Sequence, residues 1–412
     1  MLLTSLTDTR KFAKLVVVAT LLLASCREDV EETKPDEELL ILLNYAAGDA
    51  VLVNREGDIF YDFDLQYPLG NDAYLQEDGS LIGMAKADTA YISFGGFGGR
   101  LFKQNPDKSI DWEFQYSTQD YISHHDVEVL PNGNIMFLIW ERINQKDASE
   151  AGFAGKFDIF PDAIIEMDPQ TEEETWEWHM IDHVIQDKDP TKDNFGSIAD
   201  HPHKIDLNYN NQEINGDITH ANGLTYDADQ DLVYISVNHY NEIWLIDHST
   251  TMREAASGEG GNHGRGGDLI YRFGNPFAYD NSSAPVTFDG VHYPNLLPSG
   301  NLLVFSNQIL SQQSEVLEFS LPSLFALEAD SNNEPEIVWS FTDSDLFSNI
   351  VSGAARLRDG NTLITEGSKA RLLEVNGAGM TVWSYQFDEA ILWRAYPYYR
   401  DHPGILEILE NR

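Results

Sequence analysis

The stretch that decides the fold is residues 291–304, VHYPNLLPSGNLLV. An apolar strand contains His292, turns at a Pro-Ser-Gly-Asn sequence and returns as a second apolar strand, which is the pattern of a β-hairpin. Residues 125–137, HDVEVLPNGNIMF, repeat this pattern. In both copies the histidine lies eight residues before the turn glycine, Gly133 or Gly300. The recurrence predicts a repeat fold and, because a histidine shares its register, a functional site.

A second recurring element is a strand with two aromatic residues separated by one position. It occurs six times: Tyr61/Phe63, Trp112/Phe114, Trp176/Trp178, Tyr271/Phe273, Trp339/Phe341 and Trp383/Tyr385. Hairpin turns occur five times, at residues 77–80, 131–134, 227–230, 298–301 and 358–361. Repeated four-stranded units of this kind are typical of β-propeller blades. Six outer strands with five inner hairpins predict one shared blade, in which strands of residues 40–63 pair with a strand near 391–396.

We therefore predict an all-β fold: a single six-bladed β-propeller domain over residues 39–412, closed by pairing of the N- and C-terminal strands. Residues 1–25 predict a lipoprotein signal peptide, since an apolar run follows basic residues and ends before Cys26, the chain's single cysteine. The alternative is an ordinary secretory signal followed by a chance cysteine. Residues 26–38 are charged and predict a disordered tether. We expect lipid attachment at Cys26 and a cell-envelope location, facing the periplasm or on the outer-membrane surface.

The net charge of −42 argues against a nucleic-acid partner and against docking on anionic lipids. An anionic substrate would need a locally positive pocket. Two insertions interrupt the repeat, at residues 182–217 and 251–267, and long loops on a propeller commonly cover the functional face. The first insertion is rich in aspartate, which fits either a calcium site or a solvated surface. The second is rich in glycine but lacks the spacing of a phosphate-binding loop.

Three histidines fall near the start of inner strands in consecutive blades. His125 and His292 have the same offset from their turns, and His220 lies in nearly the same register. Because the inner strands surround one channel, we expect the three imidazoles to converge. They could act as nucleophile, as general acid and base, or as metal ligands. The long spacings between them favour chemistry without a metal. His124 is adjacent, and register favours His125 as the residue that faces the channel.

The chain resembles the bacterial arylsulfate sulfotransferase (arylsulfotransferase) family over roughly residues 115–400. The matching segments are His124-His125-Asp126 before LPNGN (130–134), His220-Ala221-Asn222, GDLIYRFGNP (267–276), His292 before GNLLVF (300–305), and Arg394-Ala395-Tyr396.

The resemblance implies a six-bladed propeller that moves a sulfuryl group from an aryl sulfate to a phenol, with no nucleotide sulfate donor and no cofactor. It implies that His292 is the nucleophile and forms a sulfohistidine. It also implies that His220 is the general acid and base, and that His125 binds the sulfuryl oxygens.

The sequence departs from the family pattern at one position. Asn238 stands where the family has an arginine that neutralises the transferring group, and His239 follows it. We expect both residues to contribute to substrate binding. A protonated His239, Arg272 or Arg394 could replace the missing charge. Two other functions remain open: a non-catalytic, ligand-binding lipoprotein propeller, and a metal-dependent hydrolase that uses the histidine cluster.

Overall fold

The computed structural model describes residues 38–388 and 391–411. These residues form six four-stranded antiparallel sheets, which are the six blades of a β-propeller. The prediction of an all-β, six-bladed propeller is therefore confirmed. The predicted signal peptide (1–25) and Cys26 lie outside the described residues. No helix within the described ranges is long and apolar enough to span a membrane.

The first sheet takes strands from both ends of the described chain, in the order β26–β1–β2–β3 from the centre outward. Its strands are β1 (Leu39–Tyr45), β2 (Ala50–Val53), β3 (Ile59–Asp62) and β26 (Leu392–Tyr399). The second and third sheets use consecutive strands. These are β4 (Leu69–Leu75), β5 (Leu81–Lys86), β6 (Gly99–Gln104) and β7 (Ile110–Gln115), then β8 (Tyr121–Val129), β9 (Ile135–Glu141), β10 (Asp162–Asp168) and β11 (Glu173–His179).

The last three sheets are also consecutive. They contain β14 (Ala221–Asp227), β15 (Leu232–Val237), β16 (Glu242–Asp247) and β17 (Tyr271–Phe273); β18 (Val291–Leu296), β19 (Leu302–Ser306), β20 (Glu315–Ser320) and β21 (Glu336–Thr342); and β22 (Gly353–Arg356), β23 (Thr362–Glu366), β24 (Arg371–Val375) and β25 (Thr381–Gln386). Between the third and fourth sheets, β12 (Val184–Ile185) and β13 (Ile205–Asp206) form a short parallel pair. Three helices lie outside the sheets: α1 (Gln145–Glu150), α2 (Met252–Ala255) and α3 (Pro403–Glu410).

The inner strands form a ring, because β4, β8, β14, β18, β22 and β26 each contact the next inner strand in this order. The strands β8, β14 and β18 all begin at one end of the propeller. We call this end the histidine face. The hairpin turns lie at the opposite end. Six hydrophobic clusters fill the six interfaces between neighbouring sheets. Burial of this apolar surface holds the blades rigidly around the channel.

The aromatic pairs lie in or beside the outer strands β3, β7, β11, β17, β21 and β25, as the sequence predicts. The two insertions begin at different ends of the propeller but contact each other. Residues 180–220 connect the end of β11 to the start of β14, both at the histidine face. Residues 248–270 connect β16 to β17 at the end that carries the hairpin turns. Nδ1 of His183 lies 2.9 Å from Oδ1 of Asp268, and the N–H of Leu269 donates to the carbonyl of His203 at 3.0 Å.

Candidate functional site

The structure brings the predicted histidines together at the histidine face. The rings of His125 and His220 are 4.9 Å apart between centroids. Burial lowers the pKa of His125 well below its usual value, and the neighbouring His220, His124 and His292 lower it further. The imidazoles of His125, His220 and His292 are therefore electrostatic neighbours in one cluster.

Each of these strands is irregular at its histidine. His125, His220 and Tyr293 adopt left-handed backbone conformations, with φ of 55°, 54° and 53°. Strained conformations of this type cost energy and are retained where the surrounding structure fixes them, often at functional sites. The irregularities interrupt the alternation of side chains that regular strands impose, so the direction of each ring depends on the bulge.

Strand pairing corrects the predicted register. His292 pairs with Phe305 at the position where His124, and not His125, pairs with Leu138. The difference arises because β8 fits His125 and Asp126 into its bulge without pairing partners. Counting from the turn glycine cannot detect such an insertion. The predicted choice of His125 for the cluster nevertheless agrees with its 4.9 Å ring contact to His220.

His292 is held by Asn307, a residue that the sequence reasoning missed. The Nδ1 atom of His292 lies 2.6 Å from Oδ1 of Asn307. The Nδ2 group of Asn307 donates to the carbonyls of Ser348 at 2.8 Å and Val351 at 3.2 Å, so Oδ1 must face the imidazole. A carbonyl oxygen only accepts, hence Nδ1 of His292 carries the proton. The lone pair of the neutral ring is therefore on Nε2.

The electrostatics of this half-buried ring favour the neutral form. Burial lowers the pKa of His292, and the Asn307 hydrogen bond offsets this only in part. The positive charges of Arg394 and His220 also disfavour an imidazolium beside them, and together these effects bring the pKa to about 3. Near neutral pH, His292 is consequently an unprotonated nitrogen nucleophile with a fixed tautomer.

His220 has the opposite character. Its Nδ1 lies 2.5 Å from the carboxylate of Asp217, which is 2% exposed. Burial alone would lower the pKa of His220, but the Asp217 charge and hydrogen bond, with Asp162 nearby, raise it above its usual value. His220 is thus suited to hold a proton that His292 cannot. Asp217 lies three residues before His220 in the sequence. This close spacing is the signal from which the pair could have been predicted.

His239 stacks on His220 with ring centroids 4.8 Å apart and an angle of 17° between the planes. Its Nδ1 lies 2.7 Å from the backbone carbonyl of Asp217. Among the described residues, Asp217, His220 and His239 form the one group of metal-ligating side chains whose ligand atoms all lie within 4.8 Å of one another. Apart from Asp217, the aspartates of the insertion at 182–217 contribute to no such group in the part of the chain that the structure describes.

Asn238, at the sequence position where the family has an arginine, lies close to the start of β18 and His292. Its Nδ2 donates to the carbonyl of Val291 at 3.2 Å, and Asn222 donates to the same carbonyl at 2.8 Å. Val291 directly precedes His292, so these amides position the start of β18. An asparagine can donate hydrogen bonds there but adds no charge.

Neither predicted arginine fully replaces the missing cation. Arg272 is 0% exposed and is held by both carboxylate oxygens of Glu242, which makes it structural. Arg394 is also buried and binds two carboxylates, Asp72 and, at 2.8 Å, Asp126. The positive charge of Arg394 is therefore already compensated by acids from β4 and β8.

Arg394 lies on β26 and contacts four other inner strands. It reaches Asp72 in β4, Asp126 in β8, the carbonyl of Asn222 in β14, and the ring of Tyr293 in β18 at 4.5 Å. Burial raises the pKa of Asp72 to about 6, although Arg394 opposes this shift. The network fills the centre of the channel next to the histidines.

Comparisons with known proteins identify the family of this chain. A search of curated proteins finds no match. The structure resembles a Bacteroides caccae protein of unknown function, with a TM-score of 0.51 and 11% identity over 89% of this chain and 100% of the other. A Pseudomonas aeruginosa periplasmic gluconolactonase gives a TM-score of 0.41 and 10% identity over 87% of this chain and 99% of the other. At these identities the likeness concerns the fold alone. The model of the Arylsulfotransferase (ASST) family matches residues 28–389, which is most of the chain, and the protein therefore belongs to the arylsulfotransferase family.

Proposed function

We propose that the protein transfers a sulfuryl group from an aryl sulfate to a phenol through a sulfohistidine at His292. The observation that carries this proposal is the pairing of His292 with Asn307 at 2.6 Å, which leaves Nε2 as a fixed, neutral nucleophile. Family membership supports the same reaction class. No nucleotide sulfate donor and no cofactor enter the reaction.

In the first half-reaction, Nε2 of His292 attacks sulfur and the bond from sulfur to the aryl oxygen breaks. The leaving oxygen takes a proton from His220, whose pKa is raised by Asp217. The imidazole of His292 gains positive charge as the N–S bond forms. The hydrogen bond from Nδ1–H to Asn307 strengthens at that moment, so it stabilises the transition state more than the ground state.

In the second half-reaction, His220 removes the proton from an acceptor phenol. The phenol oxygen attacks sulfur, the N–S bond breaks, and the electron pair returns to Nε2 of His292. His125 binds the sulfuryl oxygens, and Asn238 with His239 completes the wall beside them. Microscopic reversibility assigns His220 opposite roles in the two steps.

We further propose that Cys26 anchors the protein by lipid at the cell envelope. The charged residues that follow would keep the propeller in water, close to the membrane surface. Globomycin-sensitive processing and radiolabelled palmitate on wild type, with neither in Cys26→Ala, are the expected results. Palmitate incorporation in Cys26→Ala would contradict the anchor without affecting the proposed reaction.

The reaction is tested with p-nitrophenyl sulfate and phenol, with no added metal or nucleotide. We expect nitrophenol release that depends on phenol, formation of phenyl sulfate, and a sulfuryl adduct on His292 when the donor is given alone. His183→Gln is a matched control, because His183 is a buried histidine paired with Asp268 at 2.9 Å, away from the cluster. Equal release by wild type and His292→Ala would refute the proposal.

A metal-dependent hydrolase is a second candidate, favoured by the cluster of Asp217, His220 and His239. It predicts release of nitrophenol without phenol, loss of this activity with a chelator, and its return with zinc. A third possibility, a propeller that binds ligands without catalysis, is favoured by the neutral Asn238. It predicts saturable binding of an aryl sulfate with no adduct on His292.

A further inference from the structure

With Asn238 in place of the family arginine, the site lacks one positive charge for binding a sulfuryl anion. The buried histidines His124 and His125 lie next to each other in this site. Nδ1 of His124 lies 2.9 Å from Nδ1 of His125. Two lone pairs would repel at this distance and two protons would clash, so one of the two nitrogens carries the proton. The protonation of one ring therefore determines what the other ring presents to the cluster.

Asp162 fixes the far side of His124. Its Oδ1 lies 2.9 Å from Nε2 of His124, and both side chains are fully buried. The two atoms lie within ion-pair distance but are poorly aligned for a hydrogen bond, and neither atom has another hydrogen-bond partner among the described residues. A carboxylate facing a bare imidazole nitrogen would be repulsive. Because a carboxyl group is more acidic than an imidazolium, Nε2 of His124 carries a proton.

Two protonation states keep His125 neutral, the form that its surroundings favour. In the first, His124 is neutral and accepts a hydrogen bond from Nδ1–H of His125, which leaves Nε2 of His125 as a bare lone pair. In the second, His124 is an imidazolium and donates from Nδ1, so His125 carries its proton on Nε2. Sulfuryl oxygens only accept hydrogen bonds, hence only the second state can bind them through His125.

The surroundings of His124 suit a cation. Its ring stacks on Trp140 at 3.7 Å between centroids, with 15° between the planes. An indole face attracts a cation at this distance. The buried carboxylate of Asp162 also requires a positive partner.

We propose that His124 supplies the positive charge of the site: as an imidazolium held by Asp162 and Trp140, it donates to His125, whose Nε2–H then binds a sulfuryl oxygen. This inference rests on the proposed sulfuryl transfer. Passing from the first state to the second moves one proton from Nδ1 of His125 to Nδ1 of His124, and a proton from solvent arrives at Nε2 of His125. The site therefore binds one proton with each sulfuryl anion whenever His124 begins neutral.

Other charged groups face the pair. Asp162 lies on β10, His220 precedes β14, His292 is on β18 and Arg394 is on β26; the last three disfavour charge on His125 itself. This arrangement places the extra charge on His124, the ring that has a carboxylate neighbour.

The probe is 4-nitrobenzenesulfonate, which has a C–S bond in place of the sulfate ester bond and therefore cannot transfer its sulfuryl group. Its Kd is measured between about pH 5 and pH 10, across the usual titration range of histidine. By linkage, we expect a plateau at low pH and then a tenfold loss of affinity per pH unit once the free site must take up a proton from solvent in order to bind. In His124→Gln, a neutral amide still donates to His125. We expect the pH dependence to vanish and the plateau affinity to fall by about tenfold, the difference between a charge-assisted and a neutral hydrogen bond.

Asp162→Asn should move the loss of affinity to lower pH, because the imidazolium loses its counter-ion. His183→Gln should retain the wild-type profile, and His220→Gln should keep the same slope. A flat wild-type profile, or a slope that persists in His124→Gln, overturns this inference while leaving a sulfuryl adduct on His292 intact. Absence of sulfonate binding together with absence of the adduct overturns the proposed function as well.

Discussion

Replacing Asn307 by alanine tests the geometry of the nucleophile directly. The change removes the acceptor 2.6 Å from Nδ1 of His292 and one donor from each of two carbonyls, those of Ser348 and Val351. The Ser348 carbonyl keeps a hydrogen bond from Oγ of Ser314 at 3.3 Å. The tautomer of His292 is then no longer fixed. The ring also becomes positive, as the N–S bond forms, with no carbonyl oxygen beside it.

The size of the effect follows from the type of bond. A hydrogen bond to a charged group contributes about 1.5–3 kcal/mol. At about 1.4 kcal/mol for each factor of ten, formation of the sulfohistidine should slow by roughly 10- to 160-fold. The KM for the donor should change little, because the bond strengthens mainly in the transition state. The loss of these two hydrogen bonds should lower the free energy of unfolding by about 1–3 kcal/mol in total.

Stopped-flow measurement of the nitrophenolate burst isolates the first half-reaction. Asn281→Ala is the matched control, because Asn281 is buried and donates to the carbonyl of Ser331 at 2.8 Å but lies outside the site. It should lose stability and keep the burst rate. An unchanged burst in folded Asn307→Ala, or a sulfuryl group mapped to Nδ1 of His292, would refute the reasoning.

Two further predictions concern the same cluster. His292 stays neutral down to about pH 3, whereas His220 has a raised pKa and must be protonated to act as the acid. We therefore expect kcat/KM for the donor to be constant at acidic pH and to fall as pH rises through the pKa of His220. A loss of rate below about pH 6.5, the usual pKa of histidine, would contradict these assignments. Gly96→Ala should weaken donor binding by tenfold or more, since a Cβ there would lie 2.1 Å from Nε2 of His125. Gly133→Ala is its control, because Gly133 also has a positive φ, of 89°, but meets nothing within 4 Å; equal Kd values for the two variants would show that contact with His125 is unimportant.

The fold was accessible from the sequence because its signals are local. Each hairpin and each aromatic strand carries its own pattern of turn residues and alternation. The three cluster histidines could be found in the same way, since each lies near the start of an inner strand. The one-residue offset between His125 and His292 could not, because a bulge adds a residue without changing the turn.

The partners of the histidines were beyond the sequence for a different reason. Asn307 is one asparagine among many, and it meets His292 only because β18 and β19 pair. Asp162 meets His124 across two strands of the third sheet, 38 positions apart. Such contacts depend on the three-dimensional arrangement of strands, which a single sequence does not encode as a local pattern. The sequence likewise left open whether Arg272 replaces the family arginine or is structural, and its contact with Glu242 is visible only in the structure.

The place of Arg394 in the chain has a consequence for biosynthesis. Asp72 and Asp126 are made early and are buried beside each other, but the arginine that neutralises both arrives only with β26, near the C-terminus. Removing one partner of a buried ion pair typically costs about 3–5 kcal/mol. A nascent or truncated chain without β26 would carry two uncompensated carboxylates at the centre of the propeller. Completion of the polypeptide and assembly of the histidine cluster are thereby coupled, so premature release of the chain should yield an unstable product and not a partly active one.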